Sequence, residues 1–303
     1  MGSLKDCRTG PAAIEPERCA LPVGRLNVGT VMGIIPTANV KGMRGLHLFH
    51  ASISNCSQKV RLSLDEKGLP WESHEVDLTV SEHLTPEFLS INPRGLVPVL
   101  VHDGIAVNES SDILHYLDTT FPDRPLSPAD PQMRALMNDW LRLWDETQPS
   151  LKTVTHGGRL GAFRRASGRL PIELAMAQKN GLDNPQLLEF LAELGSAEGL
   201  SAERIVRAQQ WIAGALAQLD NHLTDHDWLA GDAFCLADIA WSIDVHRFVF
   251  LEMPLHPYPS VRRWYDVVRR RDSFQRMVID YEQIAVRRLA ALAEARVADD
   301  GAL

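Results

Sequence analysis

The residues with the most chemical potential in this chain of 303 residues form one run, Ser54-Asn55-Cys56-Ser57-Gln58-Lys59-Val60-Arg61. It follows a short apolar stretch at 46–49, so a strand hands over to a helix through polar residues and a cysteine. Unpaired backbone N–H groups and the dipole at a helix start favour an anion there and make a thiolate more accessible. Such a position either holds a reactive sulfur, Cys56, or lets the hydroxyl of Ser57 donate to a sulfur brought by another molecule. A small buried hydrophobe is the other ordinary role of a free cysteine.

The elements around this run alternate in a regular way. Residues 58–67 carry Val60, Leu62 and Leu64 and stop at Gly68, which predicts a helix. Residues 71–78 suit a second strand. Thr85-Pro86 gives a helix cap followed by proline at the first helical position. Residues 97–101 and 105–107 read as a hairpin turned at Asp103-Gly104. Residues 109–119 form a helix with Ile113, Leu114 and Leu117 inward. The proline-rich stretch 121–128 is the best domain boundary. Beyond it the pattern turns helical: 131–151 and 202–223 carry apolar residues at 3–4 spacing. Residues 157–199, broken by glycines and prolines, are expected to be a partly helical, mobile insertion. Trp140, Trp144, Trp211 and Trp241 are expected in the core, and 284–298 as a charged helix.

Composition limits the partners. A net charge of −8 argues against a general nucleic-acid binder. A local basic pocket remains open, since Lys59, Arg61 and Arg94 fall close together. No apolar run approaches the roughly 20 residues of a spanning helix, so no membrane partner is expected. Four scattered cysteines suit neither a disulfide framework nor a zinc site, and they suggest a reducing, cytoplasmic home. His222 and His226 stand four apart as two metal ligands would, but no third ligand supports them, and no metal is expected. The first 44 residues are rich in Gly and Pro and read as a flexible extension, with Met43 as an alternative start just before the first strand. The expected divisions are 1–44 extension, 45–124 sheet domain, 125–290 helical domain and 291–303 tail.

This layout, an α/β thioredoxin-like unit followed by an all-α unit, resembles the soluble glutathione transferases. Three separated segments carry the resemblance. Ile91-Asn92-Pro93-Arg94-Gly95-Leu96-Val97-Pro98 is similar to their Asn-Pro-x-Gly-x-Val-Pro segment. Asn108-Glu109-Ser110 matches the Glu-Ser pair that opens their third helix, and Cys235-Leu236-Ala237-Asp238 looks like their Ser/Thr-Leu-Ala-Asp box. Within the family, the Ser-x-Cys-Ser-x-Lys-x-Arg run looks most like the reductive dehalogenases of chlorinated hydroquinones. It also resembles the ganglioside-induced differentiation-associated proteins, which share Thr155-His156-Gly157, and more distantly the aryl-ether-cleaving transferases.

The resemblance implies a glutathione cosubstrate, an aromatic electrophile and a homodimer. Cys56 takes the reactive-cysteine position, with Ser57 beside it and Ser54 on the same loop. A cis Val97–Pro98 bond would present the Val97 backbone to the cysteinyl moiety as a strand edge does. Ser110 and nearby N–H groups would take the γ-glutamyl carboxylate, and Glu109 its ammonium. His83 resembles the basic residue that meets the glycyl carboxylate, although Leu84 stands where the family has a lysine. Cys235 in place of a hydroxyl residue implies a weakened cap on a structural Asp238. A non-catalytic binding or regulatory protein on the same fold is the competing reading.

Overall fold

The computed structural model describes residues 34–35, 40–283 and 286. A five-stranded sheet lies at the N-terminal side: β1 (Ile34–Ile35), β2 (Leu46–His50), β3 (Glu72–Glu75), β4 (Val99–His102) and β5 (Ile105–Val107), in the order β1-β5-β4-β2-β3. Only β2 and β3 pair in parallel, joined across α1 (Asn55–Lys67) as a parallel pair requires. Asp103 and Gly104 turn the β4–β5 hairpin with positive φ at both residues, as a primed two-residue turn needs.

The β1 strand lies inside the segment read as an extension. Ile34 and Ile35 pair antiparallel with Val107 and Ala106. A two-residue strand is too short to show a period, which is why it was illegible. The flexible extension over 1–33 and 36–39, the tail at 291–303 and most of the expected 284–298 helix lie outside the described residues.

Helix α1 begins three residues earlier than its apolar period indicates, because Ser54 caps it by accepting the Ser57 N–H. The capping moves Cys56 from a loop into the first helical turn. Gly68 ends the helix at φ 65°, where a side chain is disfavoured. Thr85 caps the short α2 (Pro86–Leu89), and α3 (Ser110–Thr120) completes the unit.

The helical half comprises α4 (Pro131–Gly157), α5 (Arg159–Ala166), α6 (Leu170–Lys179), α7 (Pro185–Leu194), α8 (Ala202–Asp225), α9 (Leu236–Phe250), α10 (Pro259–Val268) and the short α11 (Asp272–Phe274). Trp140, Trp144 and Trp241 are buried, but Trp211 stays 45% exposed, donating its indole N–H to Thr147. The cap at Cys235 is stronger than its sequence implies. The Asp238 carboxylate accepts from the Cys235 N–H and thiol, the Leu229 N–H and the Trp264 indole.

The insertion is more ordered than its weak pattern suggests. Helices α6 and α7 bury Leu170, Leu187, Phe190, Leu191 and Leu194 in a second core with Leu84 and Leu89 of the sheet domain. Asn180 donates to the Leu84 carbonyl, Asp183 N–H to Pro93 and Asn184 to Arg94. Its apolar face is completed by that distant loop, so no local period could reveal it.

Candidate functional site

The loop between β2 and α1 is fixed from several sides. Arg61, fully buried, donates to the carbonyls of Ala51 at 3.1 Å and Ser52 at 2.9 Å and to His50 Nδ1 at 3.0 Å. His50 then donates through Nε2 to Ser73; burial first, then Arg61, holds its pKa down at about 3. Arg247 on α9 donates to the Ile53 carbonyl at 2.6 Å. The guanidinium of Arg61, one of three basic residues noted in the sequence, is therefore spent on the loop backbone.

Ser57 is fully buried, and its hydroxyl accepts the Ala51 N–H at 3.2 Å. That bond occupies an acceptor site of the hydroxyl and fixes its position in the loop, while its own proton remains available to a second partner. Cys56, half-buried, lies instead near the start of α3, where the Ser110 side chain favours its thiolate. Burial raises the Cys56 thiol pKa, the opposite of the helix-start expectation. Lys59 and Ser110 pull it down; Asp244 and Glu109 push it up.

Lys59 sits one turn after Cys56, on the same face of α1. Its ammonium donates to Ser111 at 2.9 Å, Ser111 donates to Asp145 at 2.7 Å, and the Trp144 ring lies below. Burial lowers its pKa to about 8, against the pull of Cys56, Asp145, Asp244 and Glu109. It therefore remains a cation at pH 7. Asp244 on α9 is fully buried, accepts from Asn55 at 3.2 Å and Gln148 at 2.8 Å, and is pushed by burial up to about 7.

Glu109 caps α3 at φ 61°, a left-handed conformation uncommon for a non-glycine residue, and pairs with Arg94. The Val97–Pro98 bond is cis, as expected, and Pro98 is buried directly before β4.

His83 lies at the contact between the sheet domain and the insertion. It is buried, lies 4.0 Å from Glu173 of the insertion, and has its pKa lowered to about 4 by burial and then by Arg164 and Lys152. The neutral ring keeps one N–H donor for a carboxylate, and its buried Nδ1 has no hydrogen-bond partner among the described residues. The nearby cation is Lys152 on α4, which lies over Phe190 at 4.3 Å and acts electrostatically on Cys56. Burial first, then Arg164, lowers it to about 8. His156, also on α4, is held at about 3 by burial, Arg164, Lys152 and Arg247.

The structure thus gathers Cys56, Glu109 and Ser110 and leaves Ser57 and His83 in other contacts. Sequence reasoning missed Lys59 as a neighbour of the sulfur, although its position three after Cys56 carried the signal. Lys152 and Asp244 carried none, being brought in by the helical half.

Comparison with known proteins shows the family of the chain. The family model for the glutathione S-transferase N-terminal domain matches residues 53–120, and that for the C-terminal domain matches 202–267. Glutathione S-transferase Z1 of Arabidopsis thaliana is 38% identical over 235 residues, 77% of this chain and 91% of that protein. Protein LigF of Sphingobium sp. (strain NBRC 103272 / SYK-6) is 32% identical over 185 residues, 60% of this chain and 71% of that protein. The crystal structure of that β-etherase superposes with a TM-score of 0.67 at 27% identity, covering 77% of this chain and 98% of that one. The tetrachloro-p-hydroquinone reductive dehalogenase of Sphingobium chlorophenolicum is 26% identical, covering 77% of this chain and 95% of that protein. The fold is that of a thioredoxin-like domain followed by a helical one. The chain belongs to the glutathione S-transferase family.

Proposed function

We propose that this protein transfers glutathione to an aromatic electrophile, or exchanges glutathione on one, with Cys56 as the reactive thiol. Residues 45–124 hold glutathione in this reading, and residues 125–290 line the acceptor. The observation that carries it is the meeting of two helix starts, α1 at Cys56 and α3 at Ser110, around one sulfur with a buried cation behind it. Helix N-termini and a fixed ammonium stabilise developing negative charge on sulfur without solvent reorganisation.

Glutathione binds with its γ-glutamyl carboxylate at the Ser110 hydroxyl and the first N–H groups of α3, its ammonium at Glu109, and its cysteinyl backbone along Val97. Ser54 completes the loop side. The glycyl carboxylate meets the His83 ring as an N–H donor, with the charges of Arg164 and Lys152 nearby. The glutathione thiolate attacks an electron-poor carbon, forming a C–S bond as the leaving group departs with its electron pair. Cys56 thiolate then attacks the sulfur of the glutathionyl adduct. That step forms a mixed disulfide and releases the aryl group with the electron pair, which takes up a proton. A second glutathione displaces Cys56 and leaves as glutathione disulfide. The names of two relatives, a β-etherase and a tetrachloro-p-hydroquinone dehalogenase, support an aromatic acceptor.

We further propose a cytoplasmic homodimer with roles in aromatic degradation or detoxification. Among the described residues, no helix is long and apolar enough to cross a membrane. Retention on immobilised glutathione followed by thiol-transfer and conjugation assays tests the reading. No retention with no turnover would leave a non-catalytic binding protein.

A further inference from the structure

We propose that His47, Glu72 and His74 bind one divalent transition-metal ion of the zinc class, outside the sulfur site, at the β2–β3 edge of the sheet. In the parallel register His47 faces Glu72 and Phe49 faces His74, so the period of two puts all four side chains on one face. His47 Nδ1 stands 3.0 Å from His74 Nε2. One Glu72 oxygen lies 3.4 Å from His47 Nδ1, and the other lies 3.5 Å from His74 Nε2. Ligand atoms around a tetrahedral ion with bonds of ~2.0–2.2 Å stand about 3.3–3.6 Å apart. The triangle therefore already has the spacing of three ligands.

A separate contact fixes which nitrogen is offered. His47 Nε2 lies 2.9 Å from the Arg44 carbonyl, which only accepts, so Nε2 carries the proton and the Nδ1 lone pair faces the cluster. Metal-binding histidines are oriented by this kind of outer hydrogen bond. Phe49 stacks on His74 with ring centres 4.5 Å apart and fixes that ring's plane. The Glu72 side chain is 65% exposed and that of His74 28%, which gives an ion access from solvent and a water as fourth ligand. Two imidazoles and one carboxylate suit zinc-class ions over Ca2+ or Mg2+, which prefer oxygen. The ligands come from two strands, so no spacing motif announced them.

The full-length chain, stripped of metal and with its thiols alkylated, is titrated with Zn2+ against a chromophoric chelator. One equivalent should bind and raise Tm, with no effect from Ca2+ or Mg2+. His74→Gln and Glu72→Gln, both on the exposed edge strand, should each weaken binding by more than ~10-fold and abolish the Tm shift. Absence of a bound equivalent in the parent chain overturns the proposal. So does unchanged affinity in both variants, or binding that disappears only in His222→Gln, which would assign the ion to the stacked His222–His226 pair.

Discussion

The Lys59 ammonium lies 3.4 Å from the centre of the Trp144 ring, so a side chain of the sheet domain rests its charge on a buried aromatic of the helical domain. A cation over an indole face is stabilised even when desolvated. The charge beside Cys56 is thereby held in place from the helical domain.

Replacing Lys59 by Met removes that charge while keeping most of its volume. The pH profile of Cys56 alkylation by iodoacetamide should move to higher pH, with the rate at pH 7 falling at least about 10-fold. The plateau rate at high pH should stay the same, and Lys59→Arg should restore part of the shift. An unmoved profile in a folded Lys59→Met protein would show that the ammonium does not reach the thiol.

Cys56→Ser should abolish disulfide exchange and dehalogenation-type turnover while glutathione binding persists. Ser57→Ala should keep exchange but lose about 1–3 kcal/mol of stability, because it leaves the buried Ala51 N–H unpaired. Activity assays beside urea unfolding separate the two. The reverse pattern would return the sulfur-holding role to Ser57.

Asp244 is pushed up to about 7 by burial, well above an unfolded aspartate. Its favourable neutral form is fully present below the unfolded pKa, and its contribution is lost as pH rises through about 7. Asp244→Asn should flatten the fall in unfolding free energy between about pH 4 and 7. The comparison of slopes is the readout, since the new amide also alters the bonds to Asn55 and Gln148.

Three histidines act at the other end. His50, His83 and His156 are held near 3, 4 and 3, below the ordinary 6.5. The unfolded chain takes up these protons first, so stability present above pH 6.5 falls as pH drops toward 4. His83→Gln should remove one proton's share of that slope, about 1.4 kcal/mol per pH unit.

Asn184 caps α7 through its side-chain oxygen and gives its amide to the Arg94 carbonyl. Asn184→Ala should cost about 1–2 kcal/mol and raise the KM for glutathione more than it lowers kcat. An unchanged KM would show that the 92–96 loop keeps its place without the insertion.

The sheet domain was legible because its signals are local: Gly68, Thr85-Pro86 and Asp103-Gly104 each fix a boundary by their own backbone preferences. The Glu109-Ser110 pair and Val97-Pro98 were legible only as parts of a family pattern. The contacts of Ser57 and His83 were not. Ser57 turns toward Ala51 because the loop N–H requires an acceptor, and His83 is claimed by an insertion whose partner lies about 90 residues away in sequence. Lys152, His156 and Asp244 come to the sulfur through helix packing, which no single segment encodes.

Beside its apolar contacts, the insertion's hydrogen bonds to the sheet domain run through main-chain carbonyls, those of Leu84, Pro93 and Arg94. A grip on backbone is indifferent to side-chain identity. Mutation can therefore explore the chemistry of the exposed Arg94 side chain without unfastening the hydrogen bond to its carbonyl. This loop is a place where the protein can acquire new preferences for the ends of glutathione while its framework stays put.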